Sequence, residues 1–144
     1  MLPTIVYETL AADDDLQDLG VTEDRIFERQ SLDERPYDDG YTVVINWQES
    51  TMYSQTYSNL ARAPRVMTLW VHTPKDKTRD YRTIDQILNR IDILLLGIEQ
   101  RTGTDGMRVT CIAKQGRSGN LIDDGWKTIT RNATYGVLYD ESAA

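Results

Sequence analysis

Apolar residues recur along this chain with two different periods. Between Ile84 and Ile98 they fall at Ile84, Ile87, Leu88, Ile91, Leu94, Leu95 and Ile98, the three-and-four spacing of one helix face. Thr83 followed by Gln86 fits a capping box at the start of this helix, and Gly103 is placed to stop it just after Arg101. Ile93 and Leu96 fall off the main stripe and widen the apolar face, so a second element of the chain or another subunit is expected to cover them. Elsewhere the period is two. Tyr41, Val43, Ile45 and Trp47 alternate within 41–48. Met107, Val109, Cys111 and Ala113 alternate on a later strand, and Ile129, Ala133, Tyr135, Val137 and Tyr139 on the last one. Residues 65–72 are apolar on both faces, which predicts an interior strand.

The weaker signals fill in the order. Residues 4–12, entered through Pro3, predict a short helix with Ile5, Val6 and Leu10 on one face, and residues 25–28 a short first strand. Residues 31–40 are turn-rich, with Pro36, Asp38, Asp39 and Gly40. Residues 49–64 are polar and predict a long loop, and the Gly, Ser and Asn of 115–125 predict a long mobile hairpin loop. The expected fold is α+β: a mixed or antiparallel sheet of about five strands, with a short N-terminal helix and one long amphipathic helix packed on it.

At 144 residues a single domain over 1–144 is expected. The chain holds 16 Lys+Arg and 23 Asp+Glu, a net charge of −7. The imbalance is local: residues 1–40 contain 12 acids and 3 bases, centred on Asp13-Asp14-Asp15. A solvated acidic loop after the first helix is the expected form. A calcium loop is excluded by spacing, because Gln17 and Asp18 stand where a ligand and a glycine are needed. Met1 to Glu8 carry no basic segment and no long apolar one, so no signal peptide is expected. The longest apolar run, Ile93 to Leu96, is far short of the roughly 20 residues that span a bilayer. Asn132-Ala133-Thr134 matches a glycosylation triplet, a pattern short enough to arise by chance.

Candidate chemistry is sparse. One cysteine excludes a disulfide framework, and one histidine excludes two-histidine metal motifs. Cys111, on the apolar side of its strand, is expected to be buried and structural. His72 ends a strand with no partner that sequence places beside it. Gly116-Arg117-Ser118-Gly119 lacks the ending of a phosphate loop, and Asp123-Asp124 are expected to be exposed turn residues. Arg62, Arg65, Lys75, Lys77, Arg79 and Arg82 are interleaved with Asp76 and Asp80 and predict a mixed solvated surface rather than a phosphate track. No catalytic, cofactor-binding or metal-binding set emerges, and no cofactor is expected.

The last third adds a resemblance. Asp123-Asp124-Gly125-Trp126-Lys127-Thr128-Ile129-Thr130-Arg131, followed by Thr134-Tyr135-Gly136-Val137, resembles the ending of tail terminator proteins encoded by long-tailed, siphovirus-type phages of actinobacteria. The layout of a short helix, three strands, an amphipathic helix and a closing hairpin is similar to that family too. The stretch 49–64 stands out as a departure. The resemblance implies a structural virion protein with no active site. Such proteins form a ring, usually a hexamer, on the last ring of tail-tube protein, stop tube polymerisation and present a surface to the head connector. The implied partners are other copies of the chain, the major tail tube protein and the head–tail connector protein. DNA passes through without specific binding, and no membrane is involved. The implied location is the head-proximal end of the virion tail, assembled in the host cytoplasm. The other expectations are a different head–tail connector or neck protein, or an enzyme with a site built from scattered carboxylates.

Physically, a closed ring joins two different faces of one subunit. Ile93 and Leu96 are expected at that contact. Tyr53, Tyr57, Arg117, Asn120, Asp123 and Asp124 are the candidate partner-contact residues of the two loops, and Asp13, Asp14, Asp15 and Asp18 are candidate lumen charges.

Overall fold

The computed structural model describes residues 2–28, 35–51 and 65–140, with the backbone alone at 49–51. The helices are α1 (Ile5–Ala11), α2 (Asp14–Asp18) and α3 (Arg82–Leu96), and a single 3-10 turn covers Glu23–Arg25. The strands are β1 (Ile26–Phe27), β2 (Thr42–Thr51), β3 (Arg65–Pro74), β4 (Arg101–Thr102), β5 (Arg108–Arg117), β6 (Leu121–Asp123) and β7 (Thr128–Asp140). Among the described residues they form one sheet in the order β1-β2-β3-β7-β5-β4, with β6 also paired to β7. β1 runs parallel to β2 and every other pairing is antiparallel, so the sheet is mixed and the fold α+β, as the periodicities predict.

Register places the two periods against each other. Val43, Ile45 and Trp47 of β2 lie opposite Val71, Leu69 and Met67 of β3, and Leu69 and Met67 in turn lie opposite Ala133 and Tyr135 of β7. This face packs under α3, whose Ile84, Ile87, Leu88, Ile91 and Leu95 are fully buried in the same cluster. Each such aliphatic side chain contributes about 1.5–3 kcal/mol by leaving water. β3 has strands on both sides, which accounts for its apolar composition. The opposite face of the sheet carries Thr42, His72, Thr128 and Thr130, all buried.

Several local expectations are corrected. α3 has Tyr81 as its N-cap residue with no side-chain cap, and Thr83 lies inside the helix. The entry is made instead by Asp80, whose Oδ1 accepts the Arg82 N–H at 2.9 Å while its own N–H donates to Thr78 Oγ1. The helix ends at Leu96 with Gly97 as C-cap, and Ile98 folds back into the core. Gly103 is therefore not the stop. It sits in the β4–β5 turn, where its α-carbon comes so close to Thr4 and Ile5 that a Cβ would meet Thr4 Oγ1 at 2.7 Å and the Ile5 nitrogen at 2.9 Å.

Strand extends into both of the segments predicted as long loops. β2 continues through Thr51, and residues 52–64, with Tyr53, Tyr57 and Arg62, lie outside the described residues. Gln115 to Arg117 continue β5, and Leu121 to Asp123 pair with Thr128 to Thr130 of β7, so most of 115–125 is strand rather than mobile loop. Cys111 is exposed, not buried. A bulge between Val109 and Cys111 shifts the alternation of β5 by one residue, so Val109 and Ile112 point inward while Cys111 and Ala113 point out. Finally, the acidic run is a helix start rather than a loop: Asp13 caps α2 by accepting the Leu16 N–H at 3.0 Å.

Candidate assembly surface

α3 has three flanks beyond its core stripe. On one, Asp85, Asn89, Asp92 and Leu96 follow each other at spacings of three and four and border β5 and β7. Asp85 accepts from the Arg131 guanidinium, and Asn89 Oδ1 accepts from Arg117 Nη1 at 2.8 Å. Asp92 gathers three donors: Arg117 and Lys114 on Oδ2, the latter at 2.8 Å, and the Tyr135 hydroxyl on Oδ1. Burial pushes the Tyr135 phenol well above its ordinary pKa, and the Asp92 hydrogen bond and charge push the same way. Tyr135 thus stays a neutral donor, and two cations share one carboxylate beside it.

On the second flank Arg90 meets α2. Its Nε and Nη2 donate to the two carboxylate oxygens of Asp13 at 2.9 and 2.7 Å, and Asp15 lies 3.3 Å from Nη2. The Arg90 hydrogen bonds hold the Asp13 carboxyl below the usual aspartate range. Of the four candidate lumen acids, Asp13 is thus tied into the fold, while Asp14, Asp15 and Asp18 are exposed on α2.

The third, outward flank ends in Ile93, next to Leu96 of the first flank, and the two have relative exposures of 64% and 42%. Sequence placed them off the core stripe, and the structure leaves them in solvent. A second exposed pair, Leu121 at 38% and Ile122 at 58%, lies on β6 and was missed, because three residues inside a Gly-rich stretch carry too little pattern to read as a strand. Among the candidate contact residues, Asn120 and Asp124 are exposed. Asp123 is half-buried and accepts the Trp126 N–H at 3.0 Å, and Arg117 is turned in toward α3.

His72 belongs to a separate cluster on the far face of the sheet. Its Nδ1 is 2.8 Å from Thr128 Oγ1, and its ring stacks on Trp70 and lies 4.7 Å from the Trp126 ring. Burial lowers its pKa to about 4, against a smaller opposing pull from Asp123. It is a neutral packing residue at neutral pH. Among the described residues no three His, Cys, Asp or Glu side chains converge to hold a metal, and no helix is long and apolar enough to cross a membrane.

No protein-family model matches the chain, and no curated protein does. Solved structures do. The fold is similar to that of one chain in the virion of a native gene transfer agent particle. The superposition has a TM-score of 0.63 and covers 93% of this chain and 90% of that one, at 12% identity. At that identity what the two share is the fold.

Proposed function

We propose that this is a structural virion protein: a ring-forming tail terminator that caps the tail tube, stops its polymerisation and joins it to the head connector. The observation that carries the reading is the likeness to a chain of a gene transfer agent virion along nearly the whole length of both chains. The finer role rests on the resemblance of residues 123–137 to tail terminators. The partners are other copies of the chain, the tail tube protein and the connector, and DNA crosses the ring without being held.

Two features of the surface support a role in assembly rather than catalysis. Three aspartates around α3 are engaged in holding the fold: Asp13 by Arg90, Asp85 by Arg131, Asp92 by Lys114 and Arg117. Two pairs of large aliphatic side chains are instead left in water.

Deleting the gene from a producing strain tests the reading. Overlong, headless tails are the expected product, and gold-labelled antibody should mark the head-proximal tail end in complete particles. Tails of normal length that fail to join heads would favour a connector or neck protein. Normal infectious particles would overturn the virion role.

A further inference from the structure

We infer that the subunits of the proposed ring join edge to edge, with β5 of one copy pairing antiparallel to β2 of the next; this rests on the ring reading above. The sheet is open, and its two outermost long strands are only partly covered among the described residues. β1 pairs with β2 at Val43 and Val44 alone. β4 pairs with β5 at Arg108 and Val109, and the Gln100 N–H adds one bond to the Thr110 carbonyl. Past those points, 45–51 of β2 and 111–117 of β5 have no described strand on their outer side. Alternate N–H and C=O groups of such an edge point away from the sheet and template a further strand.

Level and direction select a second copy as the occupant. Across the sheet, Asn46 lies opposite Thr68, Thr68 opposite Thr134, and Thr134 opposite Gly116. In the same way Trp47 leads to Lys114 and Ile45 to Arg117, so the two open spans occupy the same rows. β1 covers only rows on one side of them, and β4 only rows on the other. β2, β3, β7 and β5 are four successive antiparallel strands, so the outer two run in opposite directions. Closed cyclic symmetry rotates copies without shifting them along the axis. With that axis along the strands, β2 of the next copy reaches β5 at its own level and runs antiparallel to it. Two different edges of one chain then meet, which is a head-to-tail contact. The side chains allow it. Cys111, Ala113 and Gly116 of β5 share a face with Val44 and Asn46 of β2, and none carries a charge. On the other face Lys114 and Arg117 are held by Asp92, and their row partners Trp47 and Ile45 are uncharged.

Cross-linking across the matched rows is the test. In a Cys111→Ser background, Gly116→Cys is combined with Asn46→Cys. Opposed residues of an antiparallel pair lie about 4.5–5.5 Å apart at Cα, within disulfide reach. A Cβ at Gly116 has nothing within 4 Å and Asn46 is half-buried, so the variant should melt close to the wild type. Oxidised mildly at about 1 mM protein, it should give a ladder of cross-linked multimers on a non-reducing denaturing gel. Each single cysteine variant should give none. Dimers from Gly116→Cys alone would put β5 against β5 and overturn the contact. So would the absence of a ladder from a double variant that melts normally. If sedimentation then still shows rings, the ring reading stands and the contact lies elsewhere; monomers throughout sink both. Hydrogen exchange on the wild type covers the case of a variant that fails to fold. The amides of 111–117 should exchange about tenfold more slowly at about 1 mM than in dilute protein, and equal rates overturn the contact.

Discussion

Arg90 on α3 grips Asp13, the residue that caps α2, through two charge-assisted hydrogen bonds of 2.9 and 2.7 Å. The same carboxylate therefore starts one helix and ties it to another. Asp13→Ala removes both functions and should cost about 2 kcal/mol, a value reduced because Arg90 is partly exposed. Asp13→Asn keeps a good capping group and loses the charge, so about 1 kcal/mol is expected. Denaturant unfolding at neutral pH would rank them. The carboxyl is held below its ordinary value of 3.8, so its contribution is present above that pH and fades as the pH falls through the lower folded value. The gap between wild type and Asp13→Asn should therefore close in acid. A gap that persists unchanged at pH 2 would mean the charge is not what matters.

His72 gives a second pH signature over a higher window. Its pKa is about 4 when folded and 6.5 as a free side chain. The unfolded chain takes up a proton as the pH drops through 6.5, while the folded chain resists until about 4. Stability should thus fall by about 3 kcal/mol across that window, at 1.36 kcal/mol per pH unit of difference. In His72→Gln this component should be missing, so the pH dependence of the melting temperature between 6.5 and 4 should flatten. Trp70 and Trp126 flank the ring, so their fluorescence reports its protonation.

Gly103 and Gly116 should respond oppositely to the same change. A Cβ at Gly103 meets backbone and a hydroxyl under 3 Å, and Gly116 has nothing within 4 Å. Gly103→Ala should cost about 1–3 kcal/mol through overpacking. It should also loosen the neighbouring contacts between the turn and α1, where Asp105 accepts the Thr4 N–H at 3.0 Å and Glu8 accepts the Thr104 N–H at 3.1 Å. Gly116→Ala should be neutral or slightly stabilising. Thermal unfolding of the pair is the check.

Asp92 holds the β5 side of the molecule. Asp92→Ala leaves Lys114, Arg117 and the Tyr135 hydroxyl without their shared acceptor and should cost about 2–4 kcal/mol. Tyr135→Phe removes one of those bonds and should cost about 1 kcal/mol. In a double-mutant cycle the two should be clearly non-additive, since both remove the same Tyr135–Asp92 bond. Simple additivity would argue that Tyr135 is held by packing alone.

What the sequence showed and what it hid divide along a physical line. The α3 stripe and the interior position of β3 are local patterns repeated over many residues, and both were legible. Ile93 and Leu96 were legible as outliers for the same reason. Cys111 was misplaced because a bulge reverses the phase of the residues that follow it, up to a second bulge between Lys114 and Gly116, and no composition marks either bulge. Asp13 carried a readable signal, an aspartate just before Leu16, but the acidic run around it suggested solvent. Asp92–Tyr135, Asp13–Arg90 and Gly103–Thr4 join residues 43, 77 and 99 positions apart, distances over which a single sequence carries no pairing signal.

The bulge before Cys111 has a practical outcome. By turning the chain's one cysteine outward on β5, it furnishes a unique attachment point for a spin label or dye without any engineered residue. Equivalent labels on neighbouring copies lie at distances whose ratios depend only on how many copies surround the axis. A pulsed-dipolar measurement on the unmodified sequence can thus count the subunits of an assembly.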